Sequence, residues 1–262
     1  MPSLQIDNAE INYMVEGRGP WLVMLHGFGS SLLDWEDHRP ILAESFSVLT
    51  IDFRGCGLSV KTGPFTIEQF SSDVVALMDH LSIGAAGLLG YSMGGAVAFQ
   101  LVLDHPDRFS RLMLINTWDS FRPTTFRRRR EMIMRKLVVR FLSMEFMAKI
   151  LGKRLFHKPG QEALRAKFIR RYGANSSEVY LALLKSLPQW GVTDRLEEIT
   201  LPVLVQNAEH DYTPLSEKEA FVAAMPNATL EIVNDMGHCS PFEDVSLFCE
   251  RILEFFLAGR IT

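Results

Sequence analysis

The hydrophobic positions of the chain form short, nearly continuous apolar runs that alternate with longer segments of helical spacing. Apolar runs bounded by turn residues are typical of strands that are buried on both faces of a sheet. The pattern predicts six such strands, at residues 21–25, 46–52, 85–90, 111–116, 201–207 and 228–234. Two further strands across a tight turn are predicted near the start, at residues 4–7 and 10–17, where apolar and polar residues alternate.

The segments between these strands carry helix signals. Thr66 can cap a helix because Gln69 lies three residues further on and an apolar face follows. That face consists of Ile67, Phe70, Val74, Leu77, Met78 and Leu81. Residues 32–43 also have helical spacing. Strands that alternate with helices imply right-handed crossovers and a mostly parallel sheet with helices on both faces, so ligands are expected beyond the carboxyl ends of the strands.

Composition restricts the class of protein. The 262 residues are 47% hydrophobic and 22% charged, with a net charge of −4, which fits one globular domain with a substantial core. No apolar run approaches the roughly 18 residues of a membrane span, and no signal peptide is visible at the start. The cysteines, Cys56, Cys239 and Cys249, show no zinc spacing and favour a reduced compartment, so we expect a cytoplasmic protein without a metal site.

One short stretch, LLGYSMGGAVAF at residues 88–99, concentrates three glycines around a serine. Gly90, Ser92 and Gly94 form a G-x-S-x-G motif between a predicted strand and a predicted helix at residues 95–103, which is the context of a nucleophile elbow. The turn is so sharp that side chains two residues to either side of the serine would collide. We therefore interpret Ser92 as a nucleophile rather than as part of a glycine-rich turn without chemistry.

A serine nucleophile needs a base, and seven histidines compete for that role. His238 follows the last predicted strand and precedes the final helix, which places it among the loops where ligands are expected. His26 is also in a loop, but it belongs to the sequence HGFG at residues 26–29. The others lie in helical or polar surface contexts or beside a candidate acid: His38, His80, His105, His157 and His210. His238 is the predicted base.

The acid that orients this histidine is predicted at Asp211, in the loop after the fifth buried strand. Its neighbour Glu209 is a decoy, that is, a nearby carboxylate that is not expected to orient the histidine. Asp119 follows the preceding strand and is the serious rival, because either loop could bring a carboxylate to the histidine; alternatively, it caps the next helix. The order Ser92, Asp211, His238 matches one of the three chain orders known for this triad.

The oxyanion that forms during acyl transfer needs two backbone N–H groups aimed at one oxygen. Met93 follows the nucleophile and is predicted to supply one of them. The HGFG loop follows the first buried strand, and Phe28 is predicted to supply the other. His26 of the same loop then has a structural role.

Four motifs in this order resemble the α/β-hydrolase fold superfamily: HGFGSSLLDW, DFRGCGLS, GYSMGG and the pair HDYTP and GH. The nearest resemblance is to small bacterial serine esterases and enol-lactonases. It implies an eight-stranded sheet flanked by helices, a helical lid inserted after the sixth strand, and no cofactor. The predicted core is residues 1–118 and 190–262, and the predicted cap is residues 119–189. The acid loop departs from the family in having Asn207 where glycine is common and Pro214 close after the aspartate.

The predicted cap has an unusual charge. Residues 122–171 contain 16 lysines and arginines but three acidic residues, whereas the rest of the chain contains 11 basic and 28 acidic residues. The simplest interpretation is a lid whose apolar face covers the pocket while its arginines face water or pair with the acidic core. The alternatives are attraction of an anionic substrate or an acidic carrier protein, or seating on an anionic membrane surface. Nucleic acid is not expected, because no binding module is recognisable.

The predicted function is hydrolysis of small-molecule carboxylic esters or lactones through an acyl-enzyme. The same triad could act on another bond, as in a C–C hydrolase, a thioesterase or a methyl esterase for carrier-bound acyl chains. A third hypothesis is a binding protein that keeps the triad for ligand capture, as some hormone receptors of this fold do, and the intact motifs count against it. A serine nucleophile also counts against haloalkane dehalogenases and epoxide hydrolases, which the resemblance associates with an aspartate at that position.

Overall fold

The computed structural model describes residues 1–258, and its centre is an eight-stranded sheet in the order β1-β2-β4-β3-β5-β6-β7-β8. The strands are β1 (Ser3–Ile6), β2 (Ala9–Glu16), β3 (Trp21–Leu25), β4 (Ser47–Ile51), β5 (Ala86–Tyr91), β6 (Phe109–Ile115), β7 (Val203–His210) and β8 (Ala228–Gly237). β2 pairs antiparallel with β1 and β4, and every other neighbouring pair is parallel. The predicted α/β class with an eight-stranded, mostly parallel sheet is therefore confirmed.

From β3 onwards, helices of the described residues lie between successive strands and after the last one. They are α1 (Arg39–Leu42), α2 (Ile67–His80), α3 (Met93–Asp104), α4 (Phe126–Phe141), α5 (Met144–Leu155), α6 (Glu162–Gly173), α7 (Ser177–Ser186), α8 (Leu215–Ala223), α9 (Ser240–Glu243) and α10 (Val245–Leu257). α2 begins as predicted, because the Thr66 hydroxyl accepts a hydrogen bond from the Gln69 N–H at 3.2 Å. Within residues 1–258, no helix is both long and apolar enough to cross a bilayer.

The two faces of the sheet bury separate layers of apolar side chains. Along β3, Val23 and Leu25 join the layer under α2 and α3, whereas Leu22 and Met24 join the layer under α10. This division follows from the strand period of two, because successive side chains point to opposite faces. A continuous apolar run is therefore what a strand covered on both faces requires.

Four helices, α4 to α7, follow β6 and precede β7, and we call them the inserted helices. They have a small apolar cluster of their own, which includes Met147 of α5 and Tyr180 of α7. α4 and α5 are separated near Ser143, whose hydroxyl accepts a hydrogen bond from the Phe146 N–H at 3.0 Å and caps α5. The division of the chain into a core and a cap at residues 119–189 stays a prediction.

One segment differs from the sequence-based prediction. Residues 32–43 do not form a continuous helix but a short 3₁₀ turn, Leu32–Trp35, and the single turn of α1. Pro40 lies in α1 and has no N–H, so a longer helix through this position would lose a backbone hydrogen bond. His38, expected in a surface context, is instead buried, and its Nε2 donates to the Pro241 carbonyl at 3.0 Å.

Candidate active site

The nucleophile candidate lies where the sharp turn was predicted. Ser92 joins β5 to α3 with φ 53° and ψ −117°, a conformation that costs energy for any residue with a side chain. Glycines at the flanking positions allow this turn: a Cβ on Gly90 would lie 2.5 Å from the Gly94 carbonyl oxygen, and a Cβ on Gly94 would meet the Leu25 carbonyl. The turn directs the serine to the carboxyl edge of the sheet, at the N-terminus of α3.

The structure brings Ser92, His238 and Asp211 together in one chain of hydrogen bonds. The His238 Nε2 is 3.0 Å from the Ser92 Oγ, and its Nδ1 is 2.8 Å from the Asp211 Oδ1. The other carboxylate oxygen of Asp211 accepts a hydrogen bond from the Thr213 hydroxyl at 2.6 Å. Burial opposes ionisation of Asp211, but His238, Lys218 and the Thr213 hydrogen bond hold its pKa below the usual value. The carboxylate is therefore charged and fixed in orientation.

Asp119, the rival candidate for the acid, forms its hydrogen bonds with Thr193 and Val192. The Asp119 carboxylate accepts a hydrogen bond from the Thr193 hydroxyl at 2.5 Å, and its carbonyl accepts one from the Val192 N–H at 2.8 Å. The alternative role of Asp119 as a helix cap is wrong, since the next helix, α4, is capped by Thr125. The decoy Glu209 is exposed and accepts a hydrogen bond from a backbone N–H of β8.

The predicted oxyanion donors, Phe28 and Met93, line the same cavity as Ser92. Met93 is the first residue of α3, where the N–H groups have no acceptor within the helix. The loop of Phe28 is held by His26, whose Nδ1 donates to the Gly27 carbonyl at 2.8 Å and whose Nε2 accepts from the Phe53 N–H at 3.1 Å. Burial lowers the pKa of His26, which keeps the imidazole neutral for this pair of bonds.

A cavity of about 430 Å³ opens in front of these groups. Its floor includes Ser92, His238 and Trp118, and its walls include side chains of all four inserted helices. This volume suits a small organic molecule, and the mainly apolar walls with a few polar groups are typical of a substrate site. The hydroxyl and imidazole are thus accessible to a ligand, while the Asp211 side chain is fully buried behind them.

Comparison with known sequences identifies the family of the chain. The model of the family described as alpha/beta hydrolase fold matches residues 20–245. The chain belongs to this α/β-hydrolase family. The family match covers β3 to β8, including the serine turn, the acid loop and the histidine loop.

Individual α/β-hydrolases are similar over almost the whole chain. A RutD protein of Caulobacter segnis, named as a proposed carbamate hydrolase, is 28% identical over 245 residues, which are 89% of this chain and 90% of that protein. The 3-oxoadipate enol-lactonase 2 of Acinetobacter baylyi is 26% identical, covering 94% and 92%. The crystal structure of the enol-lactonase from Burkholderia xenovorans superposes with a TM-score of 0.88 at 27% identity, covering 97% and 99%. The expected resemblance to bacterial esterases and enol-lactonases is confirmed.

Two side chains in this α/β-hydrolase site were not singled out from the sequence. The Tyr212 hydroxyl is 3.1 Å from the His238 Nε2, the atom that also faces Ser92. Burial raises the pKa of Tyr212, so the phenol stays protonated and can donate to the imidazole. The signal in the sequence is its position directly after Asp211.

The second side chain is Lys218 of α8, which is completely buried. Its ammonium donates to the carbonyl of Thr117, whose hydroxyl donates to the Ser92 carbonyl at 2.6 Å. Burial lowers the pKa of Lys218 to about 8, and the Asp211 carboxylate is the main group that opposes the shift. Lys218 thus contacts the backbone next to the serine turn, and its charge interacts with the Asp211 carboxylate of the acid loop.

A further carboxyl group, Asp34, lines the cavity. Burial raises its pKa to about 7, although the Ser30 hydroxyl, the Gly27 N–H and the charge of Arg171 oppose the shift. Because the folded-state pKa exceeds that of a free aspartate, about 4, the folded protein binds this proton more tightly than the unfolded chain. Ionisation of Asp34 therefore costs stability as the pH rises from about 4 through 7.

We expect the stability advantage of Asp34→Asn over the wild type to grow between pH 5 and pH 8. The growth should be about 1–2 kcal/mol, which is less than the full shift implies because the side chain faces a solvent-accessible cavity. Urea unfolding of both proteins at the two pH values measures it. An effect of Asp34→Asn that is the same at both pH values would contradict the assigned titration.

Proposed function

We propose that the protein is a serine hydrolase that cleaves carboxylic esters or lactones through an acyl-enzyme. The observation that carries this proposal is the chain of hydrogen bonds from Asp211 through His238 to Ser92, which ends in the cavity. Asp211 as the triad acid, His238 as the base, and Phe28 and Met93 as the oxyanion donors are parts of the proposal.

The reaction follows from the positions of these groups. The Ser92 oxygen attacks the acyl carbon while its proton moves to the Nε2 of His238, 3.0 Å away. Asp211 accepts the Nδ1 hydrogen bond, so it selects the required tautomer and stabilises the imidazolium. The imidazolium then protonates the departing alkoxide, and the same imidazole activates the water that releases the acid. The N–H groups of Phe28 and Met93 stabilise the oxyanion in both steps.

The known relatives support esters and lactones as the substrate class. Two of the similar proteins are named as enol-lactonases, and an esterase from Thermogutta terrifontis superposes with a TM-score of 0.85 at 27% identity over 95% of this chain and 93% of that one. The carbamate named for the RutD relative makes a carbamate ester the second substrate class to test. An acidic carrier protein or an anionic membrane surface gains no support from these names, which refer to small-molecule reactions.

The proposal is tested by pre-steady-state kinetics with p-nitrophenyl butyrate. We expect a burst of about one equivalent of nitrophenol, followed by slower steady turnover, because deacylation limits the rate for activated esters. Acid quenching should trap a butyryl adduct, and mass spectrometry of a digest should map it to Ser92. A p-nitrophenyl carbamate provides the parallel measurement for the second substrate class.

Three results would contradict the proposal. Absence of turnover with a panel of esters and lactones would favour a binding protein or another bond. An adduct on a residue other than Ser92 would overturn the nucleophile. Turnover of a C–C or thioester substrate with kcat/KM at least tenfold above every oxygen ester would transfer the assignment to that reaction class.

A further inference from the structure

Helix α4 has its large apolar side chains on the face that points away from the protein. Five of them are exposed and recur at spacings of three, four and seven residues, so they form one stripe along the helix: Phe126, Ile133, Met134, Leu137 and Phe141. We call these five residues the apolar stripe. Among the residues of α4, all of which the structure describes, Val139 alone is buried. A surface helix of a globular protein normally turns such a stripe toward the core.

The opposite face of α4 is polar and lies against the cavity. Arg128, Glu131 and Arg135 line the cavity that contains Ser92. With 3.6 residues per turn, Arg135 lies roughly 160° around the helix axis from Leu137. The usual arrangement is therefore reversed, with charged groups facing inward and apolar groups facing solvent. Within residues 1–258, no other segment buries the apolar stripe, so this surface fits a partner outside the chain.

Exposed apolar residues continue beyond the end of α4. Leu142 follows the stripe directly, and Phe146 and Ile150 of α5 come at intervals of four residues and are also exposed. Residues 126–150 thus contain eight of the 13 large apolar side chains that are exposed within residues 1–258. Exposed apolar residues scattered singly need no explanation, whereas their concentration in one segment indicates an interaction site.

The charge around the apolar stripe is strongly positive. By helical spacing Arg130 lies within the stripe while Arg129 and Arg140 border it, and all three are exposed. Lys149 and Lys153 of α5 are exposed as well. Together α4 and α5 contain 10 basic and two acidic residues. A second copy of the chain on this surface would bring like charges together, so the charge favours an anionic partner.

We propose that α4 and α5 bind the surface of an anionic membrane, with the apolar stripe inserted at the level of the lipid head groups and the bordering arginines against their phosphates. Helices that lie in the plane of a membrane combine large apolar side chains on one face with lysines and arginines beside them. A membrane accounts for both features of this surface, since its hydrocarbon covers the stripe and its phosphates balance the charge. The surface is separate from the chemistry at Ser92, so this inference goes beyond the proposed function and does not depend on it.

Vesicle flotation tests the proposal with the full chain. Vesicles of pure phosphatidylcholine are compared with vesicles that contain about 30% phosphatidylglycerol, at salt concentrations of about 0.1 M and about 1 M. The apolar variant is Phe141→Gln. Its matched control is Leu58→Gln, because Leu58 lies outside the inserted helices and both residues are 72% exposed. Circular dichroism and turnover of p-nitrophenyl butyrate should stay unchanged in both, since the cavity is lined by other residues.

The charge variant combines Arg129→Gln with Arg140→Gln, and its control combines Arg18→Gln with Lys61→Gln, which are exposed basic residues outside the inserted helices. At the lower salt concentration the wild type should bind the anionic vesicles about tenfold or more above the neutral ones, because each basic residue near anionic lipid strengthens binding about fivefold. The charge variant should bind the anionic vesicles about tenfold less tightly, and Phe141→Gln about fivefold less tightly. Both controls should change binding less than about threefold.

Four results would overturn the proposal. Absence of binding to the anionic vesicles would leave the apolar stripe to a protein partner, and equal binding to both kinds of vesicle would remove the role of the charge. A loss in the controls as large as in the variants would place the contact elsewhere on the molecule. A wild-type dimer in sedimentation velocity that Phe141→Gln dissociates would assign the stripe to a second copy of the chain.

Discussion

Replacement of Ser92 by alanine is expected to abolish ester turnover, with a loss in kcat on the order of 10⁵-fold or more. The physical reason is that the only acyl acceptor in the proposed reaction is removed, so the remaining oxyanion donors and His238 can assist only direct attack by water. Steady-state hydrolysis of p-nitrophenyl butyrate measures this loss. The burst of nitrophenol should disappear at the same time.

This variant should retain the fold, because within residues 1–258 the hydroxyl of Ser92 bonds only to His238, whereas the backbone holds the turn. The Ser92 N–H donates to the Ile115 carbonyl at 2.9 Å, and its carbonyl accepts from Thr117 at 2.6 Å; alanine keeps both bonds. A matched control is Ser120→Ala, which removes a hydroxyl that lines the same cavity. Retention of more than a few percent of wild-type turnover by Ser92→Ala, or an equal loss in the control, would reject Ser92 as the nucleophile.

The parts of the site that could be predicted from the sequence are those that depend on local chain geometry. The turn at Ser92 requires glycine at fixed offsets, so the requirement is visible in five consecutive residues. Asp211 and His238 could be selected because each follows a strand, and the parallel sheet brings those strand ends to one edge. The same reasoning could not exclude Asp119 as the acid, since the strand order alone does not determine which loop reaches the histidine.

The parts that could not be predicted depend on packing between distant segments. Lys218 occupies one turn of an otherwise ordinary helix, and only the fold brings its ammonium to the carbonyl of Thr117, about a hundred residues earlier. The direction in which the arginines of α4 point could not be predicted from the sequence either. That helix has few buried residues, with Ile133 and Leu137 exposed, so its apolar positions do not indicate which face lies against the cavity.

The second large effect is expected when Asp211, the proposed triad acid, is replaced. Asp211→Asn should lower kcat by about 10⁴-fold, the loss known for the same exchange in a serine protease triad. The Thr213 hydroxyl donates to one oxygen of Asp211, and it should hold the asparagine carbonyl in that position. The amide NH₂ then faces the Nδ1 of His238 and must donate to it. Such a bond places the imidazole proton on Nε2, where it cannot accept the proton of Ser92.

Asp119→Asn is the matched comparison, because it makes the same chemical change in the rival carboxylate. Its carboxylate accepts a hydrogen bond from Thr193 at 2.5 Å, and an asparagine carbonyl can accept that bond as well. We therefore expect kcat to fall less than about threefold. Both variants are compared by turnover of p-nitrophenyl butyrate and by circular dichroism, which should be unchanged in each. The reverse ranking, with the larger loss in Asp119→Asn, would transfer the acid to the loop after β6. In that case the His238 contact with Asp211 would be structural, and its tautomer would be set by another group.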